Sequence, residues 1–283
     1  MKPAAFDYHA PETAAEAVGL LGELGEDAKV IAGGQSLVPM LAFRLAFVEH
    51  LVDLRKLGEL KRIEVGADTV RIGAGVTQSA IQRSAEVAEH VPLLTAATPL
   101  IGHPAIRNRG TIGGSIAHAD ASAEYPAVAL ALGARIETTQ RMIPATEFFT
   151  GLWSTVLAPD ELVTGVTFPR RRPREGFAIE EFARRAGDFA LAGAAVAVEL
   201  DEEHRISRCA IGLFGLAPTP VRATATEAAL VGTTPNAATG RDAVNELPSV
   251  RSDQHGSSAY RKRVGAAMIT RALHRATKEA SSE

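Results

Sequence analysis

Residues 29–47, KVIAGGQSLVPMLAFRLAF, and residues 101–134, IGHPAIRNRGTIGGSIAHADASAEYPAVALALGA, each hold a Gly-Gly pair with a serine close behind it. In the first, residues 29–32 read as a short buried strand that stops at Gly33-Gly34. Residues 37–47 then read as a helix, with Ser36 as N-cap and Pro39 in the first turn, where proline is tolerated. In the second, Thr111-Ile112-Gly113-Gly114-Ser115 interrupts a turn-rich stretch running from residue 101 to 122. Paired glycines permit positive φ and let a backbone approach a ligand without Cβ interference. Successive N–H groups in such a bend converge on anionic oxygens, and a helix behind the bend adds the positive end of its dipole. Ser36, Thr111 and Ser115 offer hydroxyls to the same oxygens, and Gln35 an amide. One such bend is usually a tight turn and nothing more. Two of them fit a shared diphosphate, clasped from both sides as in a dinucleotide cofactor.

The pattern around these bends is mixed α and β. Residues 13–24 carry apolar side chains at helical spacing, with Glu12 and Glu16 at the favourable end of the dipole. Residues 50–54 read as a strand, and 63–65 with 70–73 as a hairpin turning at 66–68. Helices are expected over 77–88 and 92–97, and a buried one over 123–132. Residues 135–138 and 161–168 alternate like strands. The clearest boundary is 169–176, PRRRPREG, which reads as a solvated linker. Beyond it, 189–200 and 206–216 suggest an antiparallel sheet, and 223–230 and 260–278 suggest helices.

At roughly 150 residues per domain, 283 residues allow about two domains. A net charge of −3 provides no basic field for nucleic acid or an anionic membrane. No apolar run approaches the roughly 20 residues of a spanning helix, and the first residues lack the apolar centre of a signal peptide. A cytoplasmic protein is the expectation. A single cysteine, Cys209, excludes intrachain disulfides and any cysteine-ligated cluster held by this chain alone.

Other chemistries are not supported. Gly73-Ala74-Gly75 lacks the third glycine of a Rossmann fingerprint, and neither bend continues into the Lys-Ser or Lys-Thr of a phosphate loop. Zinc-binding spacings and a Gly-x-Ser-x-Gly elbow are both missing. His103 and His118 flank the second bend and read as local hydrogen-bonding or ligand-rim residues.

The two stretches quoted at the outset closely resemble the FAD-binding medium subunit of molybdenum hydroxylases. That family includes bacterial carbon monoxide dehydrogenase, quinoline and nicotine dehydrogenases, and the flavin domain of xanthine dehydrogenase. The likeness continues through FARRAGDFALAGAAV at 182–196 and GLAPTPVRATATEAALVG at 215–232. It implies an α+β fold in three parts. Two α/β FAD-binding subdomains of the PCMH type, like those of vanillyl-alcohol oxidase, span 1–57 and 58–172. A C-terminal three-stranded antiparallel sheet with helices spans 177–283.

The resemblance also implies a binding site. Ala32, Gly33, Gly34, Gln35, Ser36 and Leu37, with Thr111, Gly113, Gly114 and Ser115, would hold the FAD pyrophosphate. Ile101 and Gly102 would lie beside the flavin. Asp120 or Glu124 would make an acidic contact to a cofactor hydroxyl, and Leu162 an apolar one near the adenine. Arg185, with Arg184 and Phe189, falls in a segment approaching the isoalloxazine. Plainer readings stand beside these: Leu162 and Phe189 as strand core, Arg107 and Arg109 as loop braces rather than diphosphate partners.

In function, the resemblance implies an oxidoreductase subunit with no catalytic or metal-binding residue of its own. It would pass electrons through FAD from two [2Fe–2S] clusters on a small subunit to an external acceptor. Molybdopterin would sit in a large subunit that hydroxylates a small, N-heteroaromatic substrate, and the whole would form a dimer of heterotrimers. Two other classes stay open: a self-sufficient FAD-dependent oxidoreductase of the same fold, and a scaffold that binds no cofactor.

Overall fold

The structure, a computed structural model, describes residues 2–234 and 239–282. Its first sheet is parallel, with Asp7–His9 and Ala28–Ile31 on either side of His50–Asp53. The Ala14–Leu24 helix is capped by Thr13, whose hydroxyl accepts the Glu16 N–H. It buries Ala17 and Leu21 against Val52, Leu57, Leu60 and Leu162. The next helix is shorter than its apolar pattern suggests. It covers Leu37–Ala42 rather than 37–47, because Arg44 turns left-handed at φ 57°. Phe43, Leu45 and Phe47 beyond it are exposed, so their spacing is not a core stripe.

The second sheet has five antiparallel strands, in the order Ile63–Val65, Thr69–Gly73, Val163–Pro169, Arg135–Thr138, Met142–Pro144. The helix expected over 77–88 is two, Gln78–Arg83 and Ala85–His90. They part at Ser84, which caps the second by accepting the Val87 N–H. The Glu124–Leu132 helix is buried along its whole length. It packs against Ala195, Ala197, Ala210 and Phe214 of the C-terminal sheet as well as the core of the second sheet. An all-round apolar helix is what a position between two sheets requires.

The C-terminal sheet has four strands, not three: Glu175–Phe182, Ala192–Leu200, Ile206–Phe214 and the short Val221–Arg222. The Ser258–Ala280 helix covers its other face through Ile269, Leu273 and Ala276. Residues 169–176 are not a solvated linker. Strands reach Pro169 and resume at Glu175, and three of the four arginines between, Arg170, Arg171 and Arg172, are engaged, while Arg174 is exposed. Arg170 donates to the Gly66 and Ala67 carbonyls, and Arg171 pairs with Glu279. The segment stitches the two antiparallel sheets together. The Glu175–Phe182 strand and the Thr239–Asn245 helix have no counterpart in the sequence reading. No helix among the described residues is long and apolar enough to cross a membrane.

Candidate functional site

The two glycine segments lie 80 residues apart in sequence, Gly33 to Gly113, and side by side in space. A Cβ on Gly33 would fall inside contact distance of the Arg109 carbonyl and 2.9 Å from the Gly110 Cα. A Cβ on Gly114 would lie 3.6 Å from that of Ala32. Gly33 is thus required by the approach of two backbones, and Gly34 by its φ of 74°.

The segments are not equivalent. In the first, the N–H groups of residues 33 to 37 have no acceptor among the described residues. The Gln35 amide folds back to donate to the Gly33 carbonyl at 3.1 Å, and the Ser36 hydroxyl has no partner among them. Five successive unpaired N–H groups beside a left-handed glycine make an anion cradle. The second segment is a helix start and not a nest. Ile112–His118 is helical, Thr111 caps it by accepting the Gly114 N–H at 3.0 Å, and the Ser115 N–H goes to the Thr111 carbonyl. The Ile112 and Gly113 N–H groups are held by the Val76 and Ala74 carbonyls. Its glycines admit the neighbouring chain, since a Cβ on Gly113 would meet the Ala74 Cα at 2.8 Å. What it can still offer is the Ser115 hydroxyl and the Thr111 N–H.

The two arginines separate cleanly. Arg107 is buried and donates to the Ile101 and Gly102 carbonyls at 2.9 and 3.0 Å, so it braces that loop. The Arg109 guanidinium is exposed without a partner among the described residues, on the residue whose carbonyl abuts Gly33.

Downstream of the second segment, Ala119 turns left-handed at φ 53° and ends the helix. Asp120 then accepts the Ser122 N–H on Oδ1 and the Trp153 indole N–H on Oδ2. Glu124 is buried in the first turn of its helix. Burial and the nearby Glu181 carboxyl push it up to about 8. Glu181, on the Glu175–Phe182 strand, is itself raised to about 7 by burial, and one of its oxygens is enclosed without a partner among the described residues. At neutral pH Glu124 therefore keeps its proton, which changes the acidic contact expected of it. His118 is lowered by burial and is neutral there.

Asp120 also lines a half-open cavity of roughly 510 Å³, with Trp153, Arg184, Phe189 and Arg261. The Gly187 backbone closes one side against Gly102 and His103. The loop carrying Arg184, Arg185 and Phe189 thus meets the Ile101–Gly102 loop. Phe189 is 71% exposed and is not strand core. Leu162 is core, 3% exposed among Leu21, Val52 and Leu57, and takes no part in joining the two segments. Trp153 and Glu181 carry no signal in the sequence. A lone tryptophan between Gly151 and Ser154 shows no periodicity, and nothing in the sequence marks Glu181 as buried.

The residues present fit a dinucleotide cofactor. The cradle suits a diphosphate, Arg109 can neutralise it, and a large cavity with apolar rings and polar edges lies beyond the helix.

Comparison with known proteins agrees. Residues 4–171 match the family model described as FAD binding domain in molybdopterin dehydrogenase. Residues 177–276 match the CO dehydrogenase flavoprotein C-terminal domain. The chain is 41% identical to the 6-hydroxypseudooxynicotine dehydrogenase complex subunit alpha of Paenarthrobacter nicotinovorans, over 99% of each chain. Among solved structures it resembles a carbon monoxide dehydrogenase chain from Hydrogenophaga pseudoflava, with a TM-score of 0.95 at 38% identity and 99% coverage of both. It also resembles a quinoline 2-oxidoreductase chain from Pseudomonas putida 86, with a TM-score of 0.92 at 36% identity and 99% coverage of both.

Proposed function

The chain belongs to the family of FAD-binding medium subunits of molybdenum hydroxylases, and from that premise we propose that its two glycine segments hold the diphosphate of one FAD. The observation that carries this reading is the backbone contact of Gly33 with residues 109–110, beside five N–H groups that have no acceptor among the described residues. Residues 33–37 supply the N–H donors and Ser36 its hydroxyl, with Ala32 beside Gly114. Thr111 and Ser115 face them across the contact, and Arg109 supplies positive charge. Gly113 and Gly114 act by letting the chains close, not by donating. Ile101, Gly102 and Arg185 border the flavin end, and Leu162 backs the adenine end from the core. Glu124, protonated at neutral pH, donates to a cofactor oxygen, while Asp120 is committed to Ser122 and Trp153.

FAD, when bound, exchanges one-electron for two-electron transfer. We assign the chain the relay between iron–sulfur clusters of a small subunit and an external acceptor. The substrate, a small N-heteroaromatic molecule, is hydroxylated at molybdopterin in a large subunit. The assembly is a cytoplasmic dimer of heterotrimers. Within the chain, 1–57, 58–172 and 177–283 are the three units, the first two enclosing the cofactor.

Affinity purification from the native cells tests this. A large chain, a small cysteine-rich chain and flavin absorbance are expected together. A solitary chain that reduces its own flavin with a small donor would point to a self-sufficient oxidoreductase instead.

A further inference from the structure

Trp153 is the only tryptophan in the chain. It sits at the tip of the hairpin formed by Phe149–Gly151 and Ser154–Thr155, with φ at 53°. A left-handed conformation costs a non-glycine residue roughly 1–2 kcal/mol, and such outliers tend to cluster where a ligand is clamped. The residue is 56% exposed, yet its ring is firmly oriented. The indole N–H donates to Asp120 Oδ2 at 3.1 Å, and the ring plane lies 10° from that of His118, with centroids 6.3 Å apart. Asp120 in turn is fixed by the Ser122 N–H at 2.8 Å. The hairpin tip is therefore tied to the end of the helix that starts at the second glycine segment.

That helix sets a distance. Ile112–His118 has seven residues, and at about 1.5 Å each it carries the chain about 10 Å from its start at Thr111 to the turn that holds Asp120. This is the reach of a ribityl chain and the near edge of the ring it carries. At that point the 510 Å³ cavity opens. Trp153 and Phe189 line it, and both leave much of a flat apolar face uncovered, 56% and 71% exposed. Arg184, without a partner among the described residues, and Asp188 line it too. Flat apolar faces with polar groups at the rim suit a planar heterocycle with hydrogen-bonding edges.

We propose that Trp153, anchored by Asp120, is a wall of the flavin pocket and packs its indole against the ring system of bound FAD. The inference rests on the FAD reading above and adds a contact to it. Trp153 is a positioning residue: it touches the cofactor and moves no proton.

The indole is also the only strong electron donor among the rings lining the cavity, so contact quenches flavin emission. The test uses the full chain loaded with FAD. Trp153→Phe, which keeps a ring but not the donor, is expected to retain FAD and raise the emission of bound flavin several-fold. Trp153→Ala also loses the stacking contact and weakens FAD binding by about 3- to 10-fold. Asp120→Ala, which frees the indole without removing it, gives an intermediate rise. In the unaltered chain, stripping FAD restores indole emission, a readout available even if a variant fails to fold. A loaded chain whose flavin emission is the same with Trp153→Phe, or whose indole emission ignores FAD removal, overturns this inference alone. A chain that takes up no FAD overturns it together with the reading beneath it.

Discussion

A Gly33→Val chain is expected to emerge without FAD and to melt well below the parent. Gly33 sits where two backbones meet, and the first carbon of a side chain would overlap the Arg109 carbonyl and the Gly110 Cα. Neither is the far end of a flexible side chain, so one segment has to move. Forced overpacking of this kind costs about 1–3 kcal/mol and occasionally more. The displaced segment is the one that carries the unpaired N–H groups, so FAD affinity falls by at least about tenfold, equivalent to about 1.4 kcal/mol. Flavin absorbance per chain and a thermal melt check both parts. Gly34→Ala is milder, since it imposes φ 74° on an alanine without meeting backbone. Gly19→Ala serves as control: it lies in the Ala14–Leu24 helix with nothing within 4 Å, and it should leave FAD untouched. Full FAD retention in Gly33→Val would remove the contact between segments from the explanation.

Glu124→Gln is expected to stabilise the FAD-free chain in alkali and to do nothing in acid. Burial raises the Glu124 carboxyl from 4.5 to about 8. The folded state therefore holds a proton that the unfolded chain releases above about 4.5. Stability attached to this group is complete below pH 4.5, declines as pH rises, and levels off above about 8. Glutamine fills the same space and does not titrate. A tenfold change in proton affinity is worth about 1.4 kcal/mol, so the variant gains on the order of 4 kcal/mol near pH 8 and about zero near pH 4.5. In a chain of this size that is a rise of roughly 8–16 °C in Tm. Glu181 is raised by the same burial, to about 7, so Glu181→Gln follows the same trend more weakly. Melting curves from pH 4.5 to 9 separate the outcomes. A constant offset between variant and parent would show that folding leaves the proton affinity of Glu124 unchanged, against this account.

Much of the architecture is legible because it follows single physical rules. The Ala14–Leu24 helix shows its period, and the 63–73 hairpin shows alternation broken by Gly66. The Glu124–Leu132 helix shows an apolar surface on every side and proves to be enclosed. What escapes a sequence reading depends on partners distant in the chain. Arginines at 170–172 look like solvent-seeking residues until the 66–67 and 279 partners are in place. Phe43, Leu45 and Phe47 have helical spacing, but no core lies opposite them.

The site divides in the same way. The two Gly-Gly pairs are readable as places where backbone comes close, and the segments that carry them do meet, Gly33 against residues 109–110. Their division of labour is not readable, because Gly113 is spent on Ala74 and only the first segment keeps a run of free N–H groups among the described residues, the second keeping that of Thr111 alone. The acidic contact is readable as a choice between Asp120 and Glu124. Only the fold shows that one is tied to Trp153 and the other is buried with its proton.

The five amides of the cradle report FAD binding most directly, through their hydrogen exchange with and without FAD. Residues 33 to 37 have no acceptor in the protein among the described residues and should exchange freely in the stripped chain. On adding FAD they should slow sharply, whereas Gly113, already bonded to the Ala74 carbonyl, should change far less. Bound flavin with unchanged exchange at residues 33 to 37 would contradict the account.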